Sequence, residues 1–132
     1  GEGDPRQGLL VQNQEQCVAA NTAGLSAIFF ATNPDAAEST DLMLMAGAAV
    51  VSGGNPLAHL FDVARSTRTS FVAVPEGLTR PEAGAYLFIT TRVPASEVVT
   101  IDPDNGTIYL GLLPIEEKPS FVLDEIQFLS GP

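Results

Sequence analysis

Three short runs of unbroken apolar character, at 27–31, 48–51 and 71–74, are separated by two segments of helical composition, and this spacing constrains the fold more than any other feature. Ser26-Ala27-Ile28-Phe29-Phe30-Ala31 lacks polar alternation, which suits a strand buried on both faces and stopped by Thr32-Asn33-Pro34. From Pro34 to Gly47 the residues favour a helix: Ala36, Ala37, Leu42, Met43, Leu44, Met45 and Ala46 supply its body, and Asp35 and Glu38 suit its early turns. Ala48-Ala49-Val50-Val51 reads as a second buried strand. Asn55 is suited to cap the next helix, and Pro56 has no N–H to leave unsatisfied in its first turn. Leu57, Leu60, Phe61 and Ala64 recur at helical spacing on one face, with His59, Asp62 and Ser66 off it. Ser70-Phe71-Val72-Ala73-Val74 makes a third strand. Strands alternating with helices predict parallel βαβ units joined by right-handed crossovers.

The flanks read differently. Gly8-Leu9-Leu10-Val11 is a short strand, whereas Gln12 to Gly24 shows no clear period. Residues 85–90, 97–101 and 107–110 are strand-like, and Asp104-Asn105-Gly106 marks a tight turn between the last two. Phe121-Val122-Leu123 adds a candidate edge strand. With 132 residues and 45% hydrophobic content, the chain can bury one core, so a single domain spanning 1–132 is expected. The expected class is α/β, with a mostly parallel central sheet and one antiparallel hairpin.

Sixteen acidic residues against six basic ones leave a formal charge of −10, which repels nucleic acid and anionic lipid at long range. Neither is an expected partner. No apolar run reaches the length of a membrane span, and Gly1-Glu2-Gly3-Asp4-Pro5-Arg6 has no basic-then-apolar pattern of a secretory leader. Gly1 reads as the mark of an expression scar or an excised domain. One cysteine, Cys17, and one histidine, His59, leave no intrachain disulfide and no zinc site to expect. A cytoplasmic location follows as the default.

His59 is the best chemical clue. It follows Gly53-Gly54 near the start of a predicted helix, whose N–H groups favour an anion, and it precedes Arg65 by six residues. A neutral imidazole can attack phosphorus, and a glycine turn, a helix start and an arginine can hold the transferred group. The stretch from Thr32 to Val74 resembles the phosphohistidine segment of the mobile, swivelling domain of PEP-utilising enzymes such as pyruvate phosphate dikinase and PEP synthase. The likeness rests on Pro34-Asp35, Ala46-Gly47-Ala48-Ala49-Val50-Val51-Ser52, Gly53-Gly54, His59 and Val63-Ala64-Arg65, in the family's order. Val99-Thr100-Ile101-Asp102 and Asn105-Gly106-Thr107-Ile108 resemble the family's closing hairpin, so the likeness spans about residues 26–112.

That resemblance implies a swivelling β/β/α domain in which His59 accepts a phosphoryl group at one active site and delivers it at another. It further implies that Gly53, Gly54 and Arg65 help hold the group. It gives this domain no cofactor of its own. Mg²⁺ with nucleotide or PEP would belong to partner nucleotide-binding and PEP- or pyruvate-binding domains or subunits, and the chain would not turn over alone. Leu57-Ala58 stands where the family has a hydroxyl residue before the histidine, one extra residue separates Gly54 from His59, and Asp62 lies one turn beyond it. These departures motivate an alternative: a non-catalytic docking or regulatory module with the same fold. A third reading is an unrelated small-molecule binding domain with a chance histidine. Asp102 and Asp104 read as turn residues, Glu116-Glu117 and Asp124-Glu125 as solvated charge, and Asn105-Gly106-Thr107 as a hairpin turn despite matching a glycosylation sequon. Ser52, Ser66 and Ser70 lack a nucleophile elbow, and Cys17 has no activating neighbour in sequence.

Overall fold

The computed structural model describes residues 4–34, 36–53, 59–74, 77–110 and 125–127. The first half alternates β1 (Arg6–Val11), α1 (Gln14–Thr22), β2 (Ala27–Ala31), α2 (Ala37–Ala46), β3 (Ala48–Ser52), α3 (His59–Ser66) and β4 (Ser70–Val74). Local chemistry sets these bounds. Asn13 caps α1 by accepting from the Gln16 N–H at 2.8 Å, and Gln16 reaches back to accept the Gln12 N–H at 2.7 Å. At the end of α2, Gly47 takes φ 82° and returns its N–H to the Met43 carbonyl at 2.8 Å, a left-handed stop that suits glycine. β2 and β3 are buried at all five positions, in keeping with their unbroken apolar sequences.

The second half is all strand: β5 (Thr79–Glu82), β6 (Ala85–Phe88), β7 (Thr91–Pro94), β8 (Val98–Asp102), β9 (Thr107–Leu110) and β10 (Glu125–Gln127). The large sheet has the order β10-β9-β8-β1-β2-β3-β4, and β5-β6-β7 form a second sheet of their own. β1 to β4 pair in parallel, as the βαβ pattern predicts. The expected mostly parallel α/β sheet is nevertheless wrong. β8 returns antiparallel beside β1, β9 and β10 continue antiparallel, and the large sheet curls until the 3-10 turn Pro103–Asn105 lies near β4. The chain is mostly β, and half of the strand pairings in the large sheet are antiparallel. The predicted hairpin is present, pairing Val99 with Leu110 across that turn, with Gly106 at φ 60°. The expected edge strand at Phe121-Val122-Leu123 lies outside the described residues. No helix among the described residues is long and apolar enough to cross a membrane.

Strand alternation separates two cores. Phe29, Ala31, Ala49, Val51 and Phe71 pack under Met43 of α2 and Leu60, Phe61 and Ala64 of α3. Val11 and Ala27 meet Cys17 and Ala20 of α1 in a smaller cluster. The opposite face carries Leu10, Ile28, Phe30, Val50 and Val72, covered by Tyr86, Phe88 and Val93 of the second sheet. Phe30 is central here: its ring lies 5.0 Å from Tyr86 and 5.8 Å from Phe88, the latter edge-on. The Tyr86 hydroxyl is buried with its ring and donates to the Leu10 carbonyl at 3.1 Å, fixing the second sheet against β1. Gly8 allows β1 and the chain entering β2 to approach closely, since a Cβ there would lie 2.5 Å from the Ser26 carbonyl oxygen.

Three outcomes follow from this packing. Phe30→Ala is expected to destabilise the fold by about 3–5 kcal/mol, through lost burial and the cavity between the sheets, read from urea unfolding. Gly8→Ala is expected to cost about 1–3 kcal/mol, because the Ser26 backbone must shift. Burial pushes the Tyr86 phenol above its ordinary range, with a hydrogen bond from Gln12 acting the other way. The stabilising contribution is therefore complete below the unfolded value of about 10 and is lost as pH rises through the folded value. Tyr86→Phe is expected to flatten the alkaline limb of the stability profile.

Candidate functional site

Because β1 to β4 run parallel, the chain leaves β1, β2 and β3 at one edge of the sheet, and α3 starts there. His59 is the first helical residue of α3 and is exposed, consistent with its place off the apolar stripe. Leu60, Phe61 and Ala64 face the core, as the sequence spacing requires. Gly54, Asn55, Pro56, Leu57 and Ala58 lie outside the described residues, and so do the expected cap and the predicted second glycine contact.

The structure assigns different work to the other predicted phosphate-holding groups. Gly53 has φ 76°, a conformation suited to glycine, and its N–H donates to the Val74 carbonyl at 3.0 Å. That donor closes the bend onto β4. Arg65 lies six residues beyond His59, which is about 9 Å along the helix axis and roughly 240° around it. Its guanidinium is 4.0 Å from Asp62 and stacks 5.9 Å from the centre of the Phe71 ring. Arg65 thus braces α3 against β4 and does not share a face with His59. Asp62 follows His59 by one turn on the exposed side, where its negative charge opposes a second anion beside the imidazole.

Ser52, immediately before the bend, contributes a contact that sequence reasoning missed. Its hydroxyl accepts from Thr79 Oγ1 at 2.7 Å and reaches the Thr79 carbonyl at 3.4 Å, both groups being buried. These bonds tie the end of β3 to the start of the second sheet. The partners are separated by 27 positions, so no local sequence signal announces them. Ser66 donates to Val63, one turn back on α3, and Ser70 to the Asp4 carbonyl, so both hydroxyls serve the backbone. Asp102 is buried and accepts from the Asn105 amide at 2.7 Å, which fits its reading as a turn residue. Burial pushes the Cys17 thiol up, away from the reactive thiolate. Among the described residues, no three His, Cys, Asp or Glu side chains gather where they could hold a metal ion.

A further feature of this edge is a cleft of about 320 Å³ between α1 and the β5–β6 hairpin, floored by the end of β1. Gln12 and Gln16 stand on its α1 side, Glu82 on its hairpin side and Tyr86 in its wall. No periodicity in the sequence pointed to it, since it arises where two layers diverge.

An exposed His59 has few packing contacts to lose. His59→Ala is therefore expected to leave folding stability within about 0.5 kcal/mol of the parent, whereas Leu60→Ala, one residue on and fully buried, is expected to cost about 2–5 kcal/mol. Parallel urea titrations of the two variants check the contrast. No protein-family model matches the chain, and no curated protein matches it.

Proposed function

We propose that this chain is a phosphoryl carrier, relaying the group through His59 between partner active sites. The observation that carries this reading is the exposed imidazole at the first turn of α3, on the edge where three parallel strands end. A ring nitrogen there can form an N–P bond as the P–O bond to the donor breaks, and it can reverse the exchange at an acceptor. The sequence resemblance around the histidine supports the same chemistry. In this reading Gly53 serves by shaping the bend and Arg65 by holding α3 against Phe71, and Gly54 helps hold the phosphoryl group. In this reading the partners are nucleotide-binding and PEP- or pyruvate-binding domains, which hold Mg²⁺ and the nucleotide or PEP, and the setting is the cytoplasm.

A second reading, a non-catalytic docking or regulatory module, is favoured by a specific arrangement. Asp62 places a negative charge one turn from His59, while the nearest cation on the helix is engaged with that same carboxylate. The largely exposed pair contributes at most about 1 kcal/mol to the helix.

Incubation of the chain with a PEP-utilising partner enzyme, Mg²⁺ and labelled PEP separates the two readings. The carrier reading expects an acid-labile phosphoryl group that is absent in His59→Ala and increased several-fold in Asp62→Asn. Label that persists in His59→Ala overturns it, and partner binding without label selects the docking module.

A further inference from the structure

The cleft beside β1 has a structural cause that points to a ligand. α1 crosses over on one face of the sheet, and the β5–β6 hairpin covers the other, so the two layers part at the carboxyl end of β1. On its far side β1 is flanked by antiparallel β8, so no crossover helix closes the gap. A concave space with mostly apolar walls and a few placed polar groups is the usual form of a small-molecule site. At about 320 Å³ the space lies near the lower limit for such sites.

Its lining narrows the chemistry. Ala19, Ala20, Ala23, Gly84, Ala85 and Ala95 keep the walls shallow, leaving room for a flat ring. The Tyr86 hydroxyl, bonded to Leu10 and Gln12, and the Gln12–Gln16 bond at the start of α1 hold the polar end in place before any ligand arrives. Among the described residues lining the cleft Glu82 is the only charged one; it is half-buried, and its pairing at 3.7 Å with the exposed Arg80 is weak. An anion would meet a carboxylate with no opposing cation among the described lining residues, within a chain of formal charge −10. A cation would meet a partner.

We propose that this cleft binds a small, flat, ring-bearing amine, with the ring between α1 and β6 and the ammonium group toward Glu82. The proposal is independent of the role of His59.

Tryptamine, indole and indole-3-acetate share one ring and differ in charge, so together they test it on the ¹⁵N-labelled chain by amide shift mapping. Tryptamine is expected to shift the amides of Gln12, Gln16, Ala19 and Ala85 saturably, indole to do so more weakly, and indole-3-acetate not at all. Glu82→Gln is expected to weaken tryptamine about tenfold, the size of one charge-assisted hydrogen bond, and to leave indole unchanged. Ala19→Phe, which fills the cleft from the exposed side of α1, is expected to abolish all binding, with circular dichroism confirming the fold. Ala23→Phe replaces it should that variant unfold. The proposal is overturned by any of three results: no saturable shift with tryptamine, indole-3-acetate binding as well as tryptamine, or tryptamine binding unchanged in the folded, filled variant.

Discussion

Four parallel strands laid down in spatial sequence, each joined to the next through a helix, carry all three connecting helices on the same face of the sheet. The rest of the molecule depends on that one-sided cover. It satisfies Phe29, Ala49, Val51 and Phe71, and it leaves Leu10, Ile28, Phe30, Val50 and Val72 on a second apolar face that no crossover helix can reach. The second half of the chain exists largely to cover that face. Phe30 seated against Tyr86 and Phe88 is the contact that couples the halves, and the buried Tyr86–Leu10 hydrogen bond fixes their register.

Much of the first half is legible in sequence because its signals are local. Ala27-Ile28-Phe29-Phe30-Ala31 and Ala48-Ala49-Val50-Val51 are too uniformly apolar for a half-exposed strand, and Leu60, Phe61 and Ala64 recur at helical spacing. Helix α1 escaped notice because its buried side is small, only Cys17 and Ala20 being fully covered, although Asn13-x-x-Gln16 carried a readable start signal. β5 and β7 are four residues each, contain Pro81 and Pro94, and each fully bury a single residue, so they are too short and too polar to show the sustained apolar alternation that marks a strand. Missing those two strands hides the second sheet, and the large sheet then seems more parallel than it is. Where β8 runs back beside β1 is a long-range choice that no window of sequence contains.

The candidate site divides along the same line. Exposure of His59 follows from its helical phase, which is local, and the structure shows it. What surrounds it is not local. The Gly53 N–H finds Val74, the Ser52 hydroxyl finds Thr79 and the Arg65 guanidinium finds Phe71, each through a neighbouring strand. Residue types that suit anion binding are legible in sequence, while the partners that the Gly53 N–H and the Arg65 guanidinium take are set by neighbouring strands.

Those diversions also explain why the glycine bend holds its shape. A loop that leaves β3 would ordinarily be positioned only by the helix that follows, yet here Ser52 is bonded to the second sheet and Gly53 to β4. A buried, fully partnered hydroxyl pair resists displacement because opening it exposes unsatisfied donors to an apolar interior. Gly53 is therefore anchored on both sides, and α3 is in turn held by Phe61 and Arg65 against Phe71. The imidazole of His59, exposed at the start of this helix, is thus presented on a base held from the sheet side by packed aromatic contacts.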